Sequence, residues 1–223
     1  MPHRGVILDI DGTLINSNDA HARAWVQALA QFDIYVPFPE VRRLIGMGGD
    51  KLLPAIARIE EDSPLGKKVS ERRAEIFNQQ YFRHLAAFPK TRELLMKMRD
   101  VGMSLAVASS AKRAELEAFL RLANVLDLIE GATSSSDADN SKPDPDIVQA
   151  ALRKLELEPG RVLMIGDTPY DIEAASRAGI ATIAFRCGGR SDEDLERAIA
   201  IYDGPAALLA DFDASPLGGA ATT

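Results

Sequence analysis

The sequence predicts an α/β protein in which a Rossmann-like parallel sheet forms the core and a small all-helical domain is inserted into it. Two observations predict this class. Short apolar runs alternate with helical patterns over most of the chain, whereas the block from 17 to 85 contains helical patterns alone. Because parallel strands need crossover connections, the alternation predicts a single parallel sheet.

The predicted domain boundaries lie where this pattern changes. Residues 1–16 and 86–214 are expected to form the core, and residues 17–85 the helical cap. The segment 215–223 is mostly small and polar, so we expect a flexible tail there.

Composition restricts the classes of protein to consider. The 223 residues are 46% hydrophobic, and 26 Lys plus Arg against 33 Asp plus Glu give a formal net charge of −7. This charge argues against nucleic acid or a membrane surface as a partner. The single cysteine, Cys187, excludes an intramolecular disulfide and is interpreted as a packing or loop thiol rather than a nucleophile. We expect a cytoplasmic monomer with neither a secretory leader nor a membrane span.

The first predicted strand ends in two carboxylates. An apolar run from Val6 to Leu8 breaks into Asp9-Ile10-Asp11-Gly12-Thr13. Gly12 lets the chain turn at once, so the second aspartate can face the first. Ligand sites in open α/β sheets lie beyond the carboxyl ends of strands, which favours a site here. The alternative is a strand that ends in an ordinary Asp-Gly turn.

The helical block contains four predicted helices. Residues 20–32 have good helix formers and one apolar face, residues 41–45 follow Pro39, a third helix begins near Asp50, and a charged helix covers residues 67–84.

The strand and helix alternation resumes after Pro89. Strands are predicted at 104–108, 128–129, 161–165, 180–185 and 201–202, and helices at 90–101, 112–122, 147–155 and up to 178, with a charged helix after Gly189. Residues 131–146 are predicted to form a polar loop. Within it, Asp144-Pro145 is typical of an N-cap followed by proline at the first helical position.

Polar side chains are predicted to meet at one edge of the sheet. The strand and loop ends carry Asp9, Asp11, Ser109, Lys142, Asp167 and Asp171. Carboxylates gathered together repel one another unless a cation is present, and hard oxygen ligands favour Mg²⁺. With an ammonium and a hydroxyl added, the set describes a phosphate pocket. Taken alone, Ser109 fits a turn, Lys142 a solvated surface and Asp167 a helix cap.

The order of four motifs resembles the haloacid dehalogenase superfamily of phosphohydrolases. The motifs are DIDGT from Asp9, a strand that ends at Ser109, Ser-Lys-Pro from Ser141, and Gly-Asp-Thr-Pro-Tyr-Asp from Gly166. The resemblance extends from Gly5 to about Leu209. The helical insert resembles the cap of the phosphoglycolate phosphatase and β-phosphoglucomutase-like branch, which implies a mobile cap that closes over the site.

This resemblance implies a role for each matching residue. Asp9 would be the nucleophile that forms an aspartyl-phosphate, and Asp11 the general acid and then the base. Mg²⁺ would be held by Asp9, the main-chain carbonyl of Asp11, and Asp167. The phosphoryl oxygens would be bound by Ser109, Lys142, Gly12, Thr13 and Ser110. Asp171 and Thr168 would not bind the metal or the phosphoryl group themselves but would orient the residues that do.

Residues of the cap bear on the type of reaction. His21 stands where β-phosphoglucomutase has a histidine that couples cap closure to acid–base chemistry, although it could equally be a hinge residue without a chemical role. The loop from Gly46 to Gly49 has glycine where mutases of this type carry an arginine.

We therefore prefer a Mg²⁺-dependent phosphatase of a small phosphorylated metabolite, such as a sugar phosphate or phosphoglycolate. A phosphomutase is the alternative. A non-catalytic regulator that binds phosphorylated ligands is the third hypothesis, and the complete motif set argues against it.

Overall fold

The computed structural model describes residues 3–134 and 137–218. Within these residues six parallel strands form one sheet in the order β3-β2-β1-β4-β5-β6. The strands are β1 Gly5–Leu8, β2 Ser104–Ala108, β3 Gly131–Thr133, β4 Val162–Gly166, β5 Ala181–Phe185 and β6 Ala200–Tyr202. The predicted α/β class is confirmed.

Helices flank the strands along the chain and fill the inserted block. In the described residues they are α1 Asn18–Ala30, α2 Phe38–Arg42, α3 Gly49–Ala57, α4 Pro64–Ile76, α5 Thr91–Asp100, α6 Arg113–Leu122, α7 Asp146–Leu155, α8 Pro169–Arg177 and α9 Pro205–Ala210. The contacts divide the chain into a sheet unit, residues 1–16 and 86–223, and a helical unit, residues 17–85.

The strand order changes direction at β1. The chain adds β2 and β3 on one side of β1 and then β4, β5 and β6 on the other side. In such a sheet, a crevice opens beyond the carboxyl end of the strand where the order reverses. The residue that follows β1 is Asp9, so the topology itself places Asp9 at this crevice.

Strands β1 and β4 at the centre of the sheet are buried on both faces. All four residues of β1 are buried, and Ile7 packs in one cluster with Val148 of α7 and Ala174 of α8. A strand covered on both faces needs a continuous apolar run rather than an alternating one, which is why the first strand was visible in the sequence.

The helical unit has its own packing. Helix α1 packs against α2 and α4. Helix α4 begins at Pro64, before the predicted start at 67, because the Oγ of Ser63 accepts a hydrogen bond of 3.0 Å from the N–H of Gly66. The predicted helix 67–84 is not uniform, since Phe77–Tyr81 forms a π-helical turn and Phe82–His84 a 3₁₀ turn.

The prediction of a strand at 128–129 was wrong. Leu126–Leu128 forms a 3₁₀ turn, and β3 lies within the segment that was predicted to be a polar loop. Pairing with β2 decides this position, because Gly131 lies opposite Ala106. A side chain at Gly131 would also meet Lys154, whose Cβ lies 2.9 Å from the place of the missing Cβ.

Two helix predictions also differ from the structure. The N-cap of α7 is Pro145 rather than Asp144, and the Asp144 carboxylate pairs with Arg177 at 2.9 Å. Residues 192–197 form turns rather than a helix. The N–H of Ile199 donates to the carbonyl of Thr182 in β5, which draws the chain into the sheet soon after these turns.

The predicted tail lies partly within the described residues. Ser215 and Leu217 are buried, and the Ser215 hydroxyl donates to the carbonyl of Phe212 at 2.6 Å. Residues 219–223 of this prediction lie outside the described residues.

Candidate active site

Asp9 lies beside the carboxyl end of β4. Its N–H donates to the carbonyl of Ile165 at 2.9 Å, which extends the pairing of β1 with β4 by one residue. The chain then turns at Gly12, whose φ is 78°. This turn brings the Thr13 hydroxyl to 3.1 Å from Oδ1 of Asp167 and 3.4 Å from Oδ2 of Asp9. The backbone therefore brings the two predicted metal ligands together.

Lys142 connects two of the carboxylates. Its Nζ lies 2.5 Å from Oδ1 of Asp9 and 2.7 Å from Oδ1 of Asp171. The lysine side chain is 1% exposed. A buried ammonium is tolerated only when it is paired, so these two contacts explain why a lysine can occupy this position.

Asp171 is held by a capping box at the start of α8. Its Oδ2 accepts from the Oγ1 of Thr168 at 2.6 Å and from the N–H of Thr168 at 3.0 Å, while the N–H of Asp171 lies 3.2 Å from the Thr168 hydroxyl. These bonds fix the carboxylate and leave Oδ1 for Lys142. Gly166 is required behind it, because a Cβ there would lie 2.5 Å from the Cβ of Asp171.

The three buried aspartates form a cluster that can bind a divalent cation. Asp9, Asp167 and Asp171 each offer a carboxylate oxygen, and these oxygens lie within 4.8 Å of one another. All three side chains are buried. One ammonium among three carboxylates leaves an excess of negative charge, and hard oxygen ligands suit a cation such as Mg²⁺. The residues present therefore fit a metal ion of this kind.

The cluster shifts the pKa values of its members. Burial raises the pKa of Asp9 well above its usual range, and the charges of Asp171, Asp167 and Asp11 add to the rise while Lys142 opposes it. Burial alone would lower the pKa of Lys142, but the Asp171 and Asp9 carboxylates outweigh it and raise this pKa.

We expect Mg²⁺ to stabilise the protein more at high pH than at low pH. Because the raised pKa lets folded Asp9 bind a proton more tightly than the unfolded chain does, the metal-free fold loses stability as the pH rises toward that pKa. Mg²⁺ at this cluster would bind the ionised carboxylate. The rise in Tm on adding Mg²⁺ should thus be larger at about pH 8 than at about pH 5.

Differential scanning calorimetry in EDTA and in Mg²⁺ at both pH values measures this difference. The same scans on Asp9→Asn, which has no titrating group at this position, serve as the control and should show a smaller pH dependence. A Tm shift that is equal at both pH values in the unaltered protein would contradict the expectation.

The remaining predicted residues of the sheet unit lie at the ends of β1 and β2. Ser109 is 1% exposed, and its Oγ accepts from the N–H of Ala111 at 3.1 Å. In the described part of the chain, the Oγ of Ser110 is buried without a hydrogen-bond partner. Asp11 is half-buried and close enough to Asp9 to raise its pKa.

Gly12 and Thr13 use their N–H groups inside the turn. The N–H of Gly12 donates to the carbonyl of Ile15 at 2.8 Å, and that of Thr13 to the carbonyl of Ile10 at 3.2 Å. The contacts of Thr13 in the site are made by its hydroxyl, with the carboxylates of Asp9 and Asp167.

His21 belongs to the helical unit and is held there on two sides. Its ring stacks on Phe77 with centroids 4.1 Å apart, and its Nδ1 lies 3.0 Å from the Nη2 of Arg73. A guanidinium can only donate, so Nδ1 is the acceptor in this contact. The Arg73 guanidinium also lies 5.4 Å from the ring of Trp25. Arg73 was not predicted from the sequence to be a site residue, although its spacing from Phe77 places both side chains on the same face of a helix.

The glycines of the loop in the helical unit have distinct roles. Gly46 has a φ of 113°, which favours glycine. Gly49 begins α3, and a Cβ there would lie 2.5 Å from Oε1 of Glu61. A larger side chain at 49 would therefore have to displace the Glu61 carboxylate.

The turn after β5 was not predicted from the sequence to be part of the site. Cys187 is half-buried, and its thiol donates to the carbonyl of Gly12 at 3.3 Å. Burial, together with the Asp167 charge, raises the pKa of Cys187 to about 12, so the thiol stays protonated and remains a donor. Gly188 lies against Asp167, whose carboxylate would collide with a Cβ at that position. The signal available in the sequence was the glycine pair after a predicted strand.

Comparison with known proteins identifies the family. Residues 6–185 match the model of the haloacid dehalogenase-like hydrolases. The chain belongs to this family, which makes it an enzyme of the hydrolase class and confirms the resemblance seen in the motifs.

Individual relatives agree with this assignment. The chain is 32% identical over 188 residues to the phosphoglycolate phosphatase of Aquifex aeolicus, covering 80% of this chain and 83% of that protein. It is 30% identical over 185 residues to Protein SUPPRESSOR OF QUENCHING 1, chloroplastic, of Arabidopsis thaliana, covering 81% of this chain but only 18% of that protein. A hydrolase from Pseudomonas syringae has a similar structure, with a TM-score of 0.88, 28% identity, and coverage of 96% of this chain and 99% of that chain.

Among the helices of the described residues, none combines the length and the apolar character needed to cross a bilayer.

Proposed function

We propose that the protein is a Mg²⁺-dependent phosphatase that hydrolyses a small phosphorylated metabolite, such as a sugar phosphate or a phosphoglycolate-like compound. One observation carries the proposal. The Asp9 carboxylate lies at the sheet crevice, 2.5 Å from a buried ammonium and within a cluster of oxygens suited to a divalent cation. The Aquifex aeolicus relative named phosphoglycolate phosphatase supports this substrate class.

The proposed reaction has two steps. An oxygen of Asp9 attacks phosphorus and forms an aspartyl-phosphate as the bond to the leaving oxygen breaks, and Asp11 gives that oxygen a proton. Asp11 then takes a proton from water, which attacks phosphorus, releases phosphate and restores the Asp9 carboxylate. Two carboxylates so close together need different environments, and Asp9 is buried whereas Asp11 is half-buried.

Asp9, the main-chain carbonyl of Asp11, and Asp167 would hold Mg²⁺, which when bound offsets the negative charge of the phosphoryl group. Lys142 would add a fixed positive charge toward the phosphoryl oxygens, and Asp171 would keep its ammonium in place. Ser109 and Ser110 would donate hydroxyl hydrogen bonds. The unpartnered Oγ of Ser110 is available for this role.

Gly49 favours a phosphatase over a phosphomutase. Mutases of the resembling type carry an arginine at this position, and here the Glu61 carboxylate lies against the glycine. Glycine at position 49 supplies no cationic side chain to hold a second phosphate group. Water is then the expected acceptor of the phosphoryl group.

Hydrolysis of para-nitrophenyl phosphate by the purified protein tests the reaction class. We expect turnover in Mg²⁺ and none in EDTA, followed by phosphate release from a subset of a panel of phosphorylated metabolites. Isomerisation of a hexose 1-phosphate in the presence of a bisphosphate primer would instead show a mutase. Binding of these compounds without turnover would support a regulator.

A further inference from the structure

The turn that follows β5 lies against two parts of the site and has no role in the reaction described above. Arg186–Gly188 form a 3₁₀ turn. The neighbouring strand β4 leads into Asp167, and β5 is in register with β4 so that Ala184 lies opposite Gly166. The turn therefore begins at the level where the metal-binding residues leave the sheet.

Gly188 occupies a position where no other residue fits beside Asp167. A Cβ built on Gly188 would overlap the carboxylate of Asp167, and it would lie 2.5 Å from the Asp167 Cβ. The contact is with a buried side chain, since Asp167 is 0% exposed. Any side chain at 188 must therefore displace the carboxylate or the turn.

Cys187 connects the same turn to the loop that carries Asp9 and Asp11. Its thiol donates to the carbonyl of Gly12 at 3.3 Å. On the other side, a Cβ at Gly204 would lie 3.3 Å from both Cβ and Sγ of Cys187, so the backbone there closely confines the thiol. The thiol thus joins the turn after β5 to the turn after β1.

We propose that Gly188 and Cys187 are positioning residues of the metal site. Gly188 keeps open the space that the Asp167 carboxylate fills, and Cys187 holds the Asp9–Thr13 loop through the Gly12 carbonyl. Neither residue is among those proposed to hold the metal or the phosphoryl group. The inference rests on the proposed function for its meaning in catalysis, but its effect on Mg²⁺ binding can be measured separately.

Gly188→Ala is the main test, and Gly160→Ala is its matched control. Gly160 also lies in a 3₁₀ turn of the sheet unit, Pro159–Arg161, and a Cβ there would meet nothing within 4 Å. We expect Gly188→Ala to raise the Mg²⁺ dissociation constant by about 10–100-fold, the size seen when groups that orient metal ligands are changed. Gly160→Ala should leave it unchanged.

Isothermal titration calorimetry with Mg²⁺ alone gives this constant, and the Tm in EDTA shows whether each variant is folded. A purely structural role of Gly188 would lower the Tm in EDTA without changing Mg²⁺ affinity in the folded protein. That result would overturn the proposal for Gly188.

Cys187 is tested by two further variants, which keep the proposal decidable if Gly188→Ala does not fold. Cys187→Ala removes the donor and should weaken Mg²⁺ binding and lower kcat more than it raises KM, because the loop carrying both acid groups loses a fixed point. Cys187→Ser retains a donor and should restore part of the loss. Equal Mg²⁺ affinity in Cys187→Ala and the unaltered protein would overturn the proposal for Cys187.

The measurements distinguish the proposed function from the positioning roles of Gly188 and Cys187. If the unaltered protein binds Mg²⁺ but hydrolyses no phosphate ester, the proposed function fails while the calorimetric comparison still decides the positioning roles. If it hydrolyses phosphate esters but Gly188→Ala and Cys187→Ala bind Mg²⁺ normally, only the positioning roles fail.

Discussion

Asp9→Asn is expected to reduce kcat by at least about 10⁴-fold, the scale on which the loss of a nucleophile acts in enzymes with covalent intermediates. The amide has no anionic oxygen to attack phosphorus. Steady-state turnover of para-nitrophenyl phosphate in Mg²⁺ measures the effect, and mass spectrometry of the unaltered protein during turnover should detect a phosphorylated Asp9.

The same substitution should leave the metal-free protein folded. Asp9 is one of three clustered buried carboxylates, and it shares the Lys142 ammonium with Asp171, so replacing its charge relieves repulsion in the cluster. Asp213→Asn is the matched control, because the Asp213 side chain is 91% exposed. Turnover retained by a folded Asp9→Asn variant would remove Asp9 from the role of nucleophile.

Lys142→Met is expected to lower the free energy of unfolding by about 3–5 kcal/mol in the absence of metal, the cost of leaving a buried charge without its partner. The substitution removes the ammonium from between the Asp9 and Asp171 carboxylates. Urea denaturation in EDTA at neutral pH measures the loss. Lowering the pH should reduce it, since protonation of Asp9, whose pKa is raised, removes one of the uncompensated charges.

Two comparisons make the Lys142 result specific. Lys90→Met removes an ion pair with Glu93 in which both side chains are more than half exposed, at 57% and 52%, and should change stability by no more than about 1 kcal/mol. Adding Asp171→Asn to Lys142→Met should recover part of the lost stability, because one unpaired carboxylate disappears. A double variant less stable than the sum of the single changes would contradict a direct charge interaction.

The local signals in the sequence predicted a parallel sheet with acidic groups at its edge, although they misplaced strand β3. Asp9 and Asp167 each follow an apolar run, and parallel connectivity places the ends of such runs on the same side of the sheet. Lys142 comes from a loop, and it was predicted to join these strand ends as the ammonium of a phosphate pocket. The structure shows that it is buried between Asp9 and Asp171.

Other features could not be seen in the sequence because they depend on close approach between distant segments. The strand β3 has only three residues, and its pairing with β2 decides where it lies. Arg73 could not be singled out because its contact is with the ring of His21, which is distant in the sequence.

The sequence by itself determined the α/β class, the strand that ends at Asp9, and the residue types that can hold a cation and a phosphoryl group. These follow from periodicity and from side-chain chemistry, which are properties of short segments. Only the tertiary structure decided that Lys142 is shared by Asp9 and Asp171, that Thr13 lies between Asp9 and Asp167, and that Gly188 must have no side chain. Each of these depends on a distance between chain segments that no local pattern encodes.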